Sequence, residues 1–374
     1  MKYTTYVGSY TGESRMDGIH ILECDAATGD FRTMRVIDTL ANPTYMALNK
    51  AGTRLYTVCD CPDLGKGWRN GGLAAFAVDG LGDRLTLRDR ISTGWGTACH
   101  VSLDPSERAV VYADYGSGTA GYVNLKGDGS FDPTCAGVSG QVVAQYQARH
   151  VGDGPNKPRQ DSAHPHCAIV TPDGKYLMIV DLTLDKVVAY DFAHRAEVGM
   201  KEVPSATIDT RKIAPGAGPR HLVFHPNGKL AFLIFELLNK VASFRYTGEG
   251  FEFIEIQELL PDQKPDFSKA AAIKLSEDGT QVFCSNRGQD SISVFNVDPA
   301  TGKMAFLNNA PLDGKFPRDF ALMPGGKFAL VGLKESWRLA SYAYDKAKGT
   351  FTKVAEMEGV YRPLFFTFNL ASAR

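Results

Sequence analysis

The chain has 374 residues, with 41 basic and 42 acidic side chains, a formal net charge of −1 and a hydrophobic share of 44%. That share is enough for a substantial core and excludes wholesale disorder, and the missing basic surplus excludes a general nucleic-acid binder. The 38 glycines, 19 prolines and 15 tyrosines favour many short strands and turns, and no run of 18 apolar residues points to a membrane helix.

From the N-terminus, Met1 to Gly8 carries no apolar signal core and already reads as a strand, Thr4 to Tyr10, followed by Gly18 to Glu23 and Phe31 to Asp38. The seven cysteines, at 24, 59, 61, 99, 135, 167 and 284, are odd in number and scattered. They do not form a disulfide framework and fit a reducing cytoplasm, the expected location. Cys59 and Cys61 have no second pair at zinc spacing, so no metal is expected there.

Further along, a turn signal recurs: Ala51-Gly52, Asp104-Pro105-Ser106-Glu107, Pro172-Asp173-Gly174, Pro226-Asn227-Gly228, Asp278-Gly279 and Pro324-Gly325-Gly326. The intervals between 52, 107, 174, 228, 279 and 326 are 55, 67, 54, 51 and 47 residues, a period that belongs to propeller blades or solenoid repeats. Around the turn at 228 four strands are predicted: His221 to Phe224, Leu230 to Ile234, Lys240 to Tyr246, and one near Phe253 to Gln257. The first blade lacks its first strand, which appears at the other end as Arg362 to Phe368. Six complete repeats and one split across the termini make seven. The expected fold is an all-β seven-bladed propeller with four antiparallel strands per blade, a single domain over 1–374, closed by pairing both termini in one sheet.

Numbering each blade from its turn separates repeat grammar from chemistry. Eight residues before the turn lie Thr44, Cys99, His166, Arg220, Ala271 and Arg318; eight residues after it lie Asp60, Tyr115, Leu182, Glu236, Arg287 and Lys334, with Tyr10 for the first blade. The start of one strand and the end of its antiparallel neighbour share a face, so both sets are expected at one mouth. Pro219-Arg220 recurs as Pro317-Arg318, and Arg362-Pro363 is similar, so a proline beside an arginine is partly structural. His166, Glu236 and Arg287 recur as the same residue at their positions in no other blade.

These exceptions are the functional candidates. His164 and His166 stand two apart and suit a general base, a metal site, or packing of the channel. Arg220 and Arg287 suit bidentate capture of a carboxylate or phosphate, or an ion pair with Asp181 or Glu236. Glu236 follows the apolar run Leu233 to Phe235 and is expected to be partly buried with an arginine partner, as a base or as an orienting group. Lys334 and Lys269 are secondary phosphate candidates or plain solvated lysines. The polar stretch Gly152 to Ser162 runs into His164 and reads as a lid or a linker. Trp68, Trp95 and Trp337 fall in separate blades and make no aromatic cage; there is no G-x-S-x-G elbow, Walker loop, dinucleotide fingerprint or WD dipeptide.

Tyr6 to Thr11 with Gly18-Ile19, His164-Pro165-His166, Gly218-Pro219-Arg220-His221, Glu236-Leu237 and Ser285-Asn286-Arg287-Gly288 together resemble the seven-bladed propeller lactonase family. That family holds propeller-type 6-phosphogluconolactonases and fungal carboxymuconate-lactonising enzymes. The resemblance runs from the first blade to the last strand, and Arg159-Gln160 with Ser162 resembles the family's loop. It implies catalytic roles for His166, Glu236, Arg220 and Arg287; beside it, substrate contacts are expected from His164, Arg220, Arg287, Lys334 and Gln160, and no cofactor or metal is expected. Two departures, Val331-Gly332-Leu333-Lys334 and Phe235 where asparagine is common, border the mouth and leave the substrate open.

Three functions follow as expectations. The first is a lactonase for 6-phosphogluconolactone or a related aldonolactone, in which a general base activates water and arginines hold the anionic substrate. The second is a cycloisomerase closing a carboxylated muconate, so that the partner is a small anionic lactone or a dicarboxylate. The third is a non-catalytic propeller scaffold.

Overall fold

The computed structural model describes residues 1–12, 18–64, 70–132, 146–157, 159–261 and 267–374. Trp68, Cys135 and Pro158 lie outside the described residues. Among those described, the fold is seven four-stranded antiparallel sheets with almost no helix, the blades of a seven-bladed β-propeller. No described helix is long and apolar enough to cross a membrane.

The chain divides into two compact units. One comprises Met1–Asp38, Arg220–Thr247 and Phe251–Arg374 and carries the first, fifth, sixth and seventh blades; the other, Thr39–Pro219 with Gly248–Gly250, carries the second, third and fourth. In the first blade Lys2–Ser9 pairs with Ile19–Asp25 on one side and with the C-terminal strand Pro363–Asn369 on the other. The split repeat expected from the two ends is therefore one sheet.

Burial follows position in the sheet. Second strands such as Ala109–Asp114, Tyr176–Asp181 and Leu230–Phe235 are buried at every residue. Outer strands such as Thr350–Glu358 have no fully buried residue. The cores lie between successive blades: Phe232, Ile234, Val282 and Phe295 between the fifth and sixth, Phe283, Ile292, Val331 and Tyr342 between the sixth and seventh. In the other unit, Val58, Leu73, Val110 and Tyr112 do the same for the second and third.

The turn positions read from sequence share one backbone conformation. Gly52, Gly174, Gly228, Gly279 and Gly326 have φ between 68° and 77°, and Glu107 takes the same left-handed region at 57°. Each donates its N–H to the carbonyl three residues earlier, as Gly228 does to His225 at 2.9 Å.

One feature of the first strands was not expected. The first strands skip a residue in pairing: the register jumps between Ala98 and His100, Pro165 and Cys167, and Pro317 and Asp319. The bulged residues are Cys99, His166 and Arg318, the positions singled out by register. A bulge bends the strand locally and re-aims the side chain it carries.

Candidate active site

Candidate groups occur in both units. In the unit holding the fifth to seventh blades, Leu230–Phe235 is an unbroken buried run, and Glu236 follows as its first polar residue, 2% exposed. A carboxylate so buried requires partners. Arg220 Nε donates to Glu236 Oε2 at 3.1 Å, and Arg287 Nη2 lies 2.9 Å from the same oxygen. Both arginines are buried and also donate to backbone carbonyls: Arg220 Nη1 to Ala271 at 2.6 Å, Arg287 Nη2 to Ala270 at 2.7 Å and Nε to Lys269 at 3.2 Å. Arg220 Nη1 also donates to His221 Nε2 at 3.2 Å. The alternative raised from sequence, an ion pair with Glu236, is thus present for both arginines. Asp181 instead pairs with His150 Nδ1 at 2.7 Å.

One carboxylate between two guanidiniums leaves this group with an excess positive charge away from water. Burial, then the nearby Arg318 and Arg287 guanidiniums, lower the Arg220 pKa, and Glu236 opposes them. Arginine nevertheless stays charged in proteins, so the cluster is a fixed source of positive potential.

The same unit extends this cluster through Phe316, which sequence reasoning missed. The Arg287 guanidinium lies 5.4 Å from the Phe316 ring centroid and Lys334 Nζ lies 5.0 Å from it, with Lys334 also 6.0 Å from the Tyr10 ring. Phe316 adopts φ 64° ahead of Pro317, as Gly218 (64°), Asn42 (52°) and Arg362 (47°) do ahead of theirs. The detectable signal was the X-Pro pair repeated at the first strands of five of the seven blades. Lys334 is mostly buried and pairs with Glu335; burial is the largest influence on its pKa, which it lowers.

In the other unit Tyr115 organises both histidines. Its ring stacks on His164 at 4.0 Å and 3° and meets His166 edge-on at 5.6 Å. His164 Nδ1 donates to the Tyr115 carbonyl at 2.8 Å, and its Nε2 lies 3.3 Å from Asp161 Oδ1. His166 is buried, and Cys99 Sγ lies 4.0 Å from its Nδ1. Among the described residues no group of three or more His, Cys, Asp or Glu has the arrangement of a metal site.

Gln160, expected to contact substrate, has a different place. It is fully buried, its Nε2 donates to Leu182 O at 2.8 Å and Asp185 Oδ1 at 3.1 Å, and its Oε1 accepts from Asn156 N at 2.9 Å. Its carboxamide pins the loop before His164 to the turn of the fourth blade. That loop borders a cleft of about 440 Å³ lined by Ser117, Arg149, His150, Asp161 and Ser162 among others.

Known proteins bear on this arrangement. Residues 4–368 match the family described as Lactonase, 7-bladed beta-propeller. The chain is 33% identical to a 6-phosphogluconolactonase of Bacillus subtilis over 98% of each chain. Among solved structures it resembles a periplasmic gluconolactonase of Pseudomonas aeruginosa, with a TM-score of 0.87, 30% identity and coverage of 98% and 99% of the two chains. A putative 6-phosphogluconolactonase of Bacteroides fragilis gives a TM-score of 0.83 at 28% identity, covering 98% of both.

Proposed function

The chain belongs to the seven-bladed β-propeller lactonase family, and from that premise we propose that it hydrolyses a sugar-acid lactone, 6-phosphogluconolactone or a related aldonolactone. The observation that carries the reading is the buried Glu236 held between Arg220 and Arg287. Such ion groups are costly to bury, and apolar replacements are often as stable, so a chemical use accounts for them better than stability does.

In this reading His166 takes a proton from water as the water oxygen attacks the lactone carbonyl. The tetrahedral oxyanion then collapses, the ring C–O bond breaks, and the proton passes to the departing alkoxide, giving the open hydroxy acid. Arg220 and Arg287, held in place by Glu236, supply fixed positive charge for the developing oxyanion. Gln160 acts through the loop, and His164 through its stack on Tyr115.

The test is ring opening of 6-phosphogluconolactone and glucono-1,5-lactone by chelator-treated protein, with His166→Ala and His166→Gln beside the wild type. Both variants are expected to lose roughly 100-fold or more in kcat while keeping the wild-type melting curve. Wild-type rates equal to uncatalysed hydrolysis would overturn the proposal. A panel of carboxylated muconates in the same assay, followed by loss of diene absorbance, reports the cycloisomerase alternative; inactivity on both panels leaves the scaffold reading.

A further inference from the structure

We propose that Arg318, Lys334 and Arg362 form an anion subsite separate from the Arg220–Glu236–Arg287 cluster, and that it takes the phosphate of a phosphorylated sugar lactone. The inference rests on the lactonase reading for its substrate, and on the unit holding the first and seventh blades for its geometry.

Arg220 and Arg287 act on the oxyanion through charge at a distance; their donors already serve Glu236 and three backbone carbonyls, so they are poorly disposed to hydrogen-bond a phosphate as well. Arg318 is different. It occupies the bulge of the seventh blade, and among the described residues its side chain has no hydrogen bond or ion pair. It lies close enough to Arg220 and Lys334 to lower the pKa of each by repulsion.

Lys334 is walled by the Phe316 and Tyr10 rings and balanced by Glu335. Arg362 is only loosely held: its Nη2 lies 3.6 Å from Glu335 Oε2, and its Nε is buried with no acceptor. A buried donor without a partner costs free energy unless something arrives to accept from it.

The backbone agrees. Arg362 and Phe316 adopt left-handed φ of 47° and 64° at a place where Gly218 does so without steric cost. Asn42 shares the conformation as part of the repeat; here the conformation sets the Phe316 ring against Lys334 and the Arg362 guanidinium against Glu335.

Charge selects the ligand class. Lys334 and Arg362 face the single carboxylate Glu335, and with Arg318 beside Lys334 the group carries an excess of two positive charges. A phosphate monoester carries about −1.5 to −2 at neutral pH and three acceptor oxygens, so it matches this excess and satisfies the idle guanidinium donors. A single carboxylate would leave one positive charge uncompensated.

The experiment measures calorimetric binding of 6-phosphogluconate, gluconate and inorganic phosphate, and kcat/KM for 6-phosphogluconolactone and glucono-1,5-lactone. Wild type, Arg318→Gln, Arg362→Gln, the charge-keeping Arg318→Lys and the control Lys348→Gln, in an exposed turn, are compared. Wild type is expected to prefer 6-phosphogluconate to gluconate at least 30-fold. Arg318→Gln and Arg362→Gln should each shrink that preference about tenfold, mainly through KM in the kinetic arm; Arg318→Lys and Lys348→Gln should retain most of it. A preference undiminished in both glutamine variants, or absent in wild type, overturns the subsite even if both lactones are hydrolysed. Arg318-dependent preference in a protein that hydrolyses neither lactone upholds the subsite and sinks the lactonase reading. Inorganic phosphate binding as tightly as the sugar phosphate would overturn the assignment to a phosphorylated lactone.

Discussion

Asp114 and Asp181 end the second strands of the third and fourth blades. Asp114 Oδ1 accepts the N–H groups of Thr97, Gly116 and Ser117 at 2.9, 3.1 and 3.0 Å; Asp181 Oδ1 accepts those of His164, Thr183 and Leu184 at 3.2, 2.9 and 3.0 Å. Each carboxylate thereby fixes the turn that presents Tyr115 or Leu182. Burial raises the Asp114 pKa to about 6, despite the N–H groups that oppose it. The folded protein therefore binds this proton more tightly than the unfolded chain, whose aspartates titrate near 3.9. The protonated form's contribution is intact below about pH 4 and is lost as pH rises through about 6. Asp114→Asn keeps the oxygen acceptor and removes the ionisation. Urea unfolding should find it more stable than wild type by about 2 kcal/mol at pH 7.5, with the gap closing by pH 4. Lower stability at both pH values would mean that the charge is needed to gather the N–H groups. At this scale Glu236 and Arg287 were legible because they break the repeat. Phe316 was not, since its role comes from a left-handed backbone and two neighbouring cations that a residue count does not register.

The strands were legible because turn chemistry punctuates them. Six left-handed turn positions set the period, and the blades follow them almost residue for residue. The bulges escaped, since a bulge inserts a residue into a strand without changing its composition. So did the outer edge of the fourth blade, where a short strand, Ile208–Asp209, and a helical turn, Arg195–Val198, replace a full fourth strand. There Asp191 N donates to Lys201 O and Val203 N to Ala189 O, so the ladder is completed by segments with no strand pattern. The turn glycines differ in what they tolerate. Gly174 (φ 77°) has open space where a Cβ would go, whereas a Cβ on Gly279 (φ 71°) would stand 2.1 Å from His225 Nε2. The His225 ring itself bonds the Gly279 carbonyl at 3.1 Å, so it is not free to swing aside. Gly174→Ala should cost only the backbone strain, about 1 kcal/mol, and Gly279→Ala about 3 kcal/mol as the ring and its bonds are displaced. Equal losses for the two variants in thermal or urea unfolding would show that backbone strain alone governs these turns.

For the molecule as a whole, the decisive join is the first blade, the one sheet made from both ends of the chain. Backbone bonds run both ways between Lys2 and Arg374, at 2.8 and 3.1 Å, and Thr4 N donates to Ser372 Oγ at 2.8 Å. Glu23 gathers Lys2 at 2.9 Å, Arg32 at 3.0 Å and Arg374 at 2.7 Å, so one carboxylate ties the first strand, the outer strand and the C-terminus. An isolated surface pair of this kind contributes little, but three cations converging on a 9% exposed carboxylate form a network. Hydrogen bonds from Arg374, Lys2 and Arg32 hold the Glu23 pKa down to about 2, well below its usual 4.5. Because the folded pKa is depressed, the network stabilises the join fully above about pH 4.5 and fades as pH falls toward 2. The join should therefore be the first element to loosen in mild acid. Hydrogen exchange at pH 3 should find the amides of Lys2–Ser9 opening faster, relative to those of Leu230–Phe235, than at pH 6 once intrinsic exchange rates are divided out. In Glu23→Gln the fast opening should already be present at pH 6 and change little with acid. If Lys2–Ser9 and Leu230–Phe235 open at the same rate in both proteins and at both pH values, the termini do not part before the blades, and the carboxylate network is not what holds them.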